Sequence, residues 1–167
     1  LEAVRIPEGV ESIRKGAFSG CSLLKSVEIP STVTIIEKKA FCGCERLASV
    51  VLPDKLIEIE ARIFQNCRQL RSVSIPPSVR LIQEEAFQDC ENLTSISITG
   101  SVASIGSSAF AGCQELESVE LGEGVNEICS SAFAGCTALS SITITESVSS
   151  IGESAFSGCA SLVRVRI

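Results

Sequence analysis

The sequence predicts a repeat solenoid. It reads as a right-handed, horseshoe-like β-solenoid of 23-residue repeats, mostly β, with short turns or 3-10 segments on the face opposite the strands. Three observations carry this reading. All seven phenylalanines fall 23 residues apart, at Phe18, Phe41, Phe64, Phe87, Phe110, Phe133 and Phe156. Three residues after each stands a cysteine: Cys21, Cys44, Cys67, Cys90, Cys113, Cys136 and Cys159. Leucine follows three further on, from Leu24 to Leu162, and isoleucine precedes each Phe by five, from Ile13 to Ile151, with no column broken.

Each element of the unit L-x-S-V-x-I-P-x-x-V-x-x-I-x-x-x-A-F-x-G-C has a physical reading. Ser26-Val27-Glu28-Ile29 alternates polar and apolar, the pattern of a half-buried strand. Pro30, like Pro7, Pro53 and Pro76, lacks an amide donor and ends that strand. A second apolar pair follows, Val33 and Ile36 in that unit. Ala40-Phe41 then leads into Gly43, a residue suited to a tight turn with positive φ. Asn66 and Asp89 replace this glycine in two units, and both tolerate left-handed geometry better than most residues.

One such unit cannot bury its own apolar face, whereas stacked neighbours form a continuous core. Each unit offers about seven apolar side chains, worth about 1.5–3 kcal/mol apiece when fully buried. Residues 1–167 read as a single solenoid of about seven repeats. Strand segments begin at Leu1 and at Leu162 with no polar cap, and the chain has no Met, so the expectation is an uncapped piece of a longer array.

The repeat resembles the BspA-type (Treponema pallidum-type) leucine-rich repeat, and the columns headed by Ile13, Ala17, Phe18 and Cys21 carry the likeness along the whole chain. The resemblance implies surface-exposed proteins of bacteria and protozoan parasites that adhere to host cells, extracellular matrix or other microbes. It carries over no catalytic residue. Departures are small: Ile63 stands where alanine precedes Phe, and Thr99, Gly122 and Thr145 stand where proline ends the strand, which should relax the turn there.

Composition narrows the function. His, Met, Trp and Tyr are absent, which removes the commonest general base and metal ligand. The chain contains two aspartates, and Glu84-Glu85 lies on a solvated turn rather than in a desolvated acid–base pair. With no glycine-rich phosphate loop or nucleophile elbow, the chain reads as a non-enzyme with no cofactor and no metal. Net charge is −6, unevenly spread: residues 1–80 balance to +3, residues 81–163 carry 11 acids and no base, and Arg164 and Arg166 follow. Such an acidic half repels phosphate backbones, so nucleic acid is not the expected partner. The charge step near residue 80 would orient a charged partner along the array. No apolar run reaches the roughly 20 residues of a membrane-spanning helix, so direct membrane insertion by this segment is not expected.

Seven of the nine cysteines occupy one repeat position. Stacked positions lie about 4.8 Å apart, wider than the roughly 3.8 Å Cβ separation of a disulfide. They therefore read, with the phenylalanines, as a structural ladder of small buried side chains. Cys42-x-Cys44 lacks zinc-site spacing. Cys42 and Cys129 fall outside the ladder and read as exposed thiols, which suit a reducing compartment. The sequon Asn92-Leu93-Thr94 matters only on a glycosylating secretory route.

The candidate binding site is the outward side of the strand column. Its third-position residues are nearly constant: Ser26, Ser49, Ser72, Ser95, Ser118 and Ser141. Its fifth-position residues vary: Glu28, Val51, Ser74, Ser97, Glu120 and Thr143. Such a pair of columns is either an evolvable recognition face or an exposed surface on which residues drift, and the serines suit either. The expected function is a non-catalytic protein-binding array at the cell surface or secreted, binding host, matrix or microbial proteins. The alternative is a cytoplasmic scaffold that assembles subunits of a larger complex.

Overall fold

The computed structural model describes residues 1–166 and winds them into about seven coils, each with three sides. The first side is the expected strand column: β1 (Ala3–Arg5), β3 (Ser26–Glu28), β5 (Ser49–Val50), β7 (Ser72–Val73), β9 (Ser95–Ile98), β11 (Ser118–Leu121), β13 (Ser141–Thr143) and β15 (Arg164–Arg166). All pairing is parallel and in register with the repeat, so Ser26 lies opposite Ser49, and Ser49 opposite Ser72. Two of the three departures from proline have a visible effect, while before Thr145 the strand has three residues, as it does before Pro7 and Pro30. In the coils ending at Pro53 and Pro76 the strand has two residues, whereas before Thr99 and Gly122 it extends to four. Gly122 supplies the rung a proline cannot, donating its N–H to the carbonyl of Ile98 at 2.9 Å. The column divides into two four-stranded sheets between β7 and β9, where the Thr94 N–H still reaches the Arg71 carbonyl.

The second side is a ladder of two-residue strands: β2 (Ser12–Ile13), β4 (Ile35–Ile36), β6 (Glu58–Ile59), β8 (Leu81–Ile82), β10 (Ser104–Ile105), β12 (Glu127–Ile128) and β14 (Ser150–Ile151). From Ile13 to Ile128 these carry the isoleucine column inward, while Ile151 in the last coil is 49% exposed. The ladder is interrupted between β4 and β6.

The third side, opposite the strands, is a wall of consecutive turns; among the described residues there is no helix and no 3-10 segment. Its amides alternate in purpose. In the second coil the N–H groups of Ala40, Cys42 and Cys44 each close a turn onto the carbonyl three residues back, at Glu37, Lys39 and Phe41. The intervening N–H groups of Lys39, Phe41 and Gly43 donate to Ala61, Ile63 and Gln65 of the next coil at 3.0, 3.0 and 2.8 Å. The wall is thus a third inter-coil ladder that satisfies backbone groups an irregular loop would leave unpaired. The alternation requires left-handed residues twice per coil. One column is the expected one, including Gly43 (φ 74°), Asn66 (φ 60°) and Asp89 (φ 57°). The other was not apparent from residue type: Lys39, Arg62, Glu85, Ser108, Ser131 and Ser154 all hold φ between 53° and 61°.

Inside, the phenylalanines stack with ring centroids 5.2–5.6 Å apart and planes within 19° of parallel. Phe41, Phe64, Phe87, Phe110 and Phe133 are fully buried, while the terminal Phe18 and Phe156 are half-buried. The cysteine ladder carries hydrogen bonds as well as packing. The Cys67, Cys90, Cys113 and Cys136 thiols donate to the carbonyls of Phe41, Phe64, Phe87 and Phe110 at 3.2–3.3 Å. All nine cysteines are free thiols. Four differ from the expectation: Cys21 and Cys159, in the end coils of the ladder, are half-buried rather than buried, and Cys42 and Cys129 are half-buried rather than exposed. Gln65 accepts from the Cys42 thiol at 3.6 Å, and Ser104 lies 3.7 Å from that of Cys129, so each is covered by the residue of a neighbouring coil.

Candidate recognition face

The strand column presents its side chains as the alternation requires. In β3, Ser26 and Glu28 are exposed and Val27 is buried; β11 repeats the pattern with Ser118 and Glu120 outward and Val119 and Leu121 inward. All twelve candidate residues are exposed: Ser26, Ser49, Ser72, Ser95, Ser118 and Ser141, and Glu28, Val51, Ser74, Ser97, Glu120 and Thr143. Parallel pairing without a shift brings each set into a line along the array. The serine line is short-chained, so Glu28, Val51 and Glu120 of the fifth-position line stand proud of it.

Neighbours within the variable line interact across coils. The Arg5 guanidinium sits 3.3 Å from the Glu28 carboxylate, and the Ser97 hydroxyl donates to Glu120 at 2.7 Å. Thr143 lies opposite Arg166. Between the two polar stretches Val51 stands 80% exposed, an isolated apolar side chain on an otherwise polar face. Where the sheet divides between β7 and β9, a groove of about 380 Å³ opens, lined by Ser72, Ser74, Ser95, Ser97 and Thr99 above Val73 and Ile75. Four of the candidate residues meet there. Residue types alone do not reveal that division, although the paired Pro76-Pro77 at the end of β7 marks its position.

The chemistry of the face is that of hydroxyls, two carboxylates and one exposed aliphatic group, with the guanidinium groups of Arg5, Arg164 and Arg166 at its two ends. It offers hydrogen bonds and a modest apolar contact to a partner's surface. No group of three or more His, Cys, Asp or Glu side chains among the described residues is arranged to hold a metal ion.

The family model for the BspA type leucine rich repeat region matches in six copies, over residues 1–114 and 80–167. The chain belongs to that family. Its repeats are generally protein-binding scaffolds. A crystal structure of a leucine-rich repeat protein from Bacteroides ovatus is 32% identical and superposes with a TM-score of 0.94, covering 99% of this chain and 45% of that one. The Treponema pallidum leucine-rich repeat protein is 35% identical with a TM-score of 0.86, over 96% of this chain and 77% of its own. A leucine-rich cell surface protein of Faecalibacterium prausnitzii is 31% identical with a TM-score of 0.60, over 100% of this chain and 54% of that one. The chain therefore spans about half the length of two of these relatives. Among curated protein sequences, none matches.

Proposed function

We propose that this chain is a cell-surface recognition array, one solenoid that binds host, matrix or microbial proteins through its strand face. The supporting observation is the face itself: twelve exposed residues in two aligned columns, one constant and one variable, with a groove at the division between β7 and β9. A cell surface setting is in keeping with the description of the F. prausnitzii relative. The intracellular scaffold remains a second reading, because nine free thiols with no disulfide suit a reducing compartment.

The test compares two baits against intact host cells, immobilised matrix proteins and lysate. One is the wild-type array. The other carries Glu28→Ala, Val51→Ala, Glu120→Ala and Thr143→Ala, with its fold checked by thermal melting. Binding to cells or matrix by the first bait and its loss in the second supports the proposal. Equal binding by both places the contact elsewhere, and binding confined to lysate proteins supports the scaffold.

A further inference from the structure

The corner that joins the turn wall to the strand column carries a charge and apolar pattern that is its own complement when reversed. Counting coils along the array, the corner residues of coils 1 to 7 are 22–25, 45–48, 68–71, 91–94, 114–117, 137–140 and 160–163. Coil 3 contributes Arg68 and Arg71, and coil 5 contributes Glu115 and Glu117. All four are exposed. Coils 2 and 6 are each neutral there, since Glu45 offsets Arg46 in one and Thr137, Ala138 and Ser140 are uncharged in the other. Coil 1 presents Leu23, 48% exposed, beside Lys25, whose charge is offset by Glu2 at 2.8 Å, and coil 7 presents Val163, 88% exposed. A two-fold axis through coil 4 would place coil 3 of one copy on coil 5 of the other, coil 2 on coil 6, and coil 1 on coil 7. Opposite charges then meet twice, and leucine meets valine twice.

We infer that this corner is an antiparallel, two-fold interface with a second copy of the chain. Such an interface is isologous: when residue i contacts residue j, j also contacts i, which demands a pattern of this kind. Arg71, Glu115 and Glu117 have no ion-pair partner among the described residues, so they are free to pair outward. Arg68 holds Glu91 of coil 4 at 3.6 Å, which limits like-charge repulsion where the two copies' own Glu91 side chains approach the axis. A groove of about 640 Å³ between Arg46, Arg68 and Arg71 gives an incoming glutamate side chain room to enter. Coils 1 and 7 are six steps apart, about 29 Å at the usual spacing of parallel strands, so the contact runs nearly the length of the array. It leaves the strand face open, and its failure is distinguishable from failure of the surface-recognition reading.

Sedimentation equilibrium at about 50 mM and about 500 mM salt reads the assembly, since exposed ion pairs are screened over this range. The expected mass at low salt is twice the 17.6 kDa of the chain, with at least tenfold weaker association at high salt. Two double variants test the geometry. Arg68→Glu with Arg71→Glu, and Glu115→Arg with Glu117→Arg, should each be monomeric alone, because every corner pair then meets like charge. Mixed together they should restore the dimer, since each copy supplies what the other lacks. Leu23→Asp should weaken wild-type association without unfolding an exposed site. A wild-type monomer at about 100 µM, a dimer indifferent to both charge reversals, or open-ended assembly instead of closure would each overturn the inference.

Discussion

Gly106→Ala tests whether the coils are as closely stacked as the structure requires. The same repeat position holds Arg14, Glu37, Glu60, Gln83 and Cys129, with a second glycine only at Gly152, so the sequence column alone predicts that alanine is harmless there. Replacing a glycine whose φ is negative even predicts a gain, about 0.4–1 kcal/mol, by restricting the unfolded chain. The structure predicts the opposite. A Cβ on Gly106 would stand 2.6 Å from the carbonyl carbon of Gln83, 2.7 Å from the Ile82 oxygen and 2.8 Å from the Glu84 nitrogen. All three are backbone atoms of the preceding coil and cannot rotate away. Carbon contacts settle near 3.5 Å, so the coils must part by about 1 Å at this point. The Gly106 N–H bond to Ile82, 2.7 Å long, resists that movement. Overpacking of this kind costs about 1–3 kcal/mol, which outweighs the entropic gain and leaves a net loss of about 1–2 kcal/mol. Urea titration followed by circular dichroism reads it as a lower midpoint at unchanged slope. The melting temperature should fall by about 2–4 °C per kcal/mol. Cys129→Ala, at the same position in a coil that already accommodates a Cβ, serves as the control and should change stability by less than about 1 kcal/mol. A midpoint for Gly106→Ala equal to or above wild type would refute the close approach.

Three further outcomes follow from the wall and the ladder. Ser131 holds φ 56°, a conformation that costs a residue with a Cβ about 1–2 kcal/mol, so Ser131→Gly should raise stability by a few tenths to about 1 kcal/mol in the same titration. Asp89 is held above its ordinary 3.8, first by burial and then by Glu91 and Glu85. A raised carboxyl pKa penalises the folded state at neutral pH, and the penalty disappears as pH falls through the raised value towards 3.8 and below. Asp89→Asn should therefore raise the melting temperature at pH 7 but not at pH 3, and a constant difference across that range would contradict the assignment. Burial pushes the Cys44 and Cys136 thiols up to about 12 and those of Cys67, Cys90 and Cys113 well above the ordinary value. Mass spectrometry after alkylation at pH 8 should find these five unmodified in the native protein and modified once denatured, while Cys21, Cys42 and Cys129 react first.

The period was legible because four residue types recur without a gap, and each marks a place where the coil cannot vary. Phe and Cys fill an interior whose cross-section is the same in every coil, so any other size leaves a void or a clash. The column containing Gly43, Asn66 and Asp89 was legible because few residue types accept positive φ. The second left-handed column was not. Lys39, Arg62 and Glu85 signal nothing of the kind, and their geometry is imposed by the amide ladder to the next coil. The seven two-residue strands of the second side were equally hidden, because an alternation of period two needs more than two residues to show itself. On the candidate face, exposure and alignment were legible from the strand period, whereas the groove between β7 and β9 and the lateral contacts arise only when coils are placed side by side. The half-burial of Cys42 and Cys129 has the same origin: the residue that covers each thiol lies on another coil, more than 20 positions away in sequence.

That division between what the period dictates and what stacking adds bears on how such an array carries function. The inward columns and the three backbone ladders hold each coil to the next without help from the outward strand residues. Val51 stands 80% exposed and the serines beside it are exposed too, so these positions can change with little effect on folding. The variable column pairs Arg5 with Glu28 and Ser97 with Glu120 across adjacent coils, contacts that exposed side chains make at little gain in stability. On the proposed reading of the strand face, such contacts would restrain side chains that a partner otherwise has to order on docking. On that reading, a scaffold held together by its inward columns and backbone ladders leaves the strand face free to be shaped by a partner.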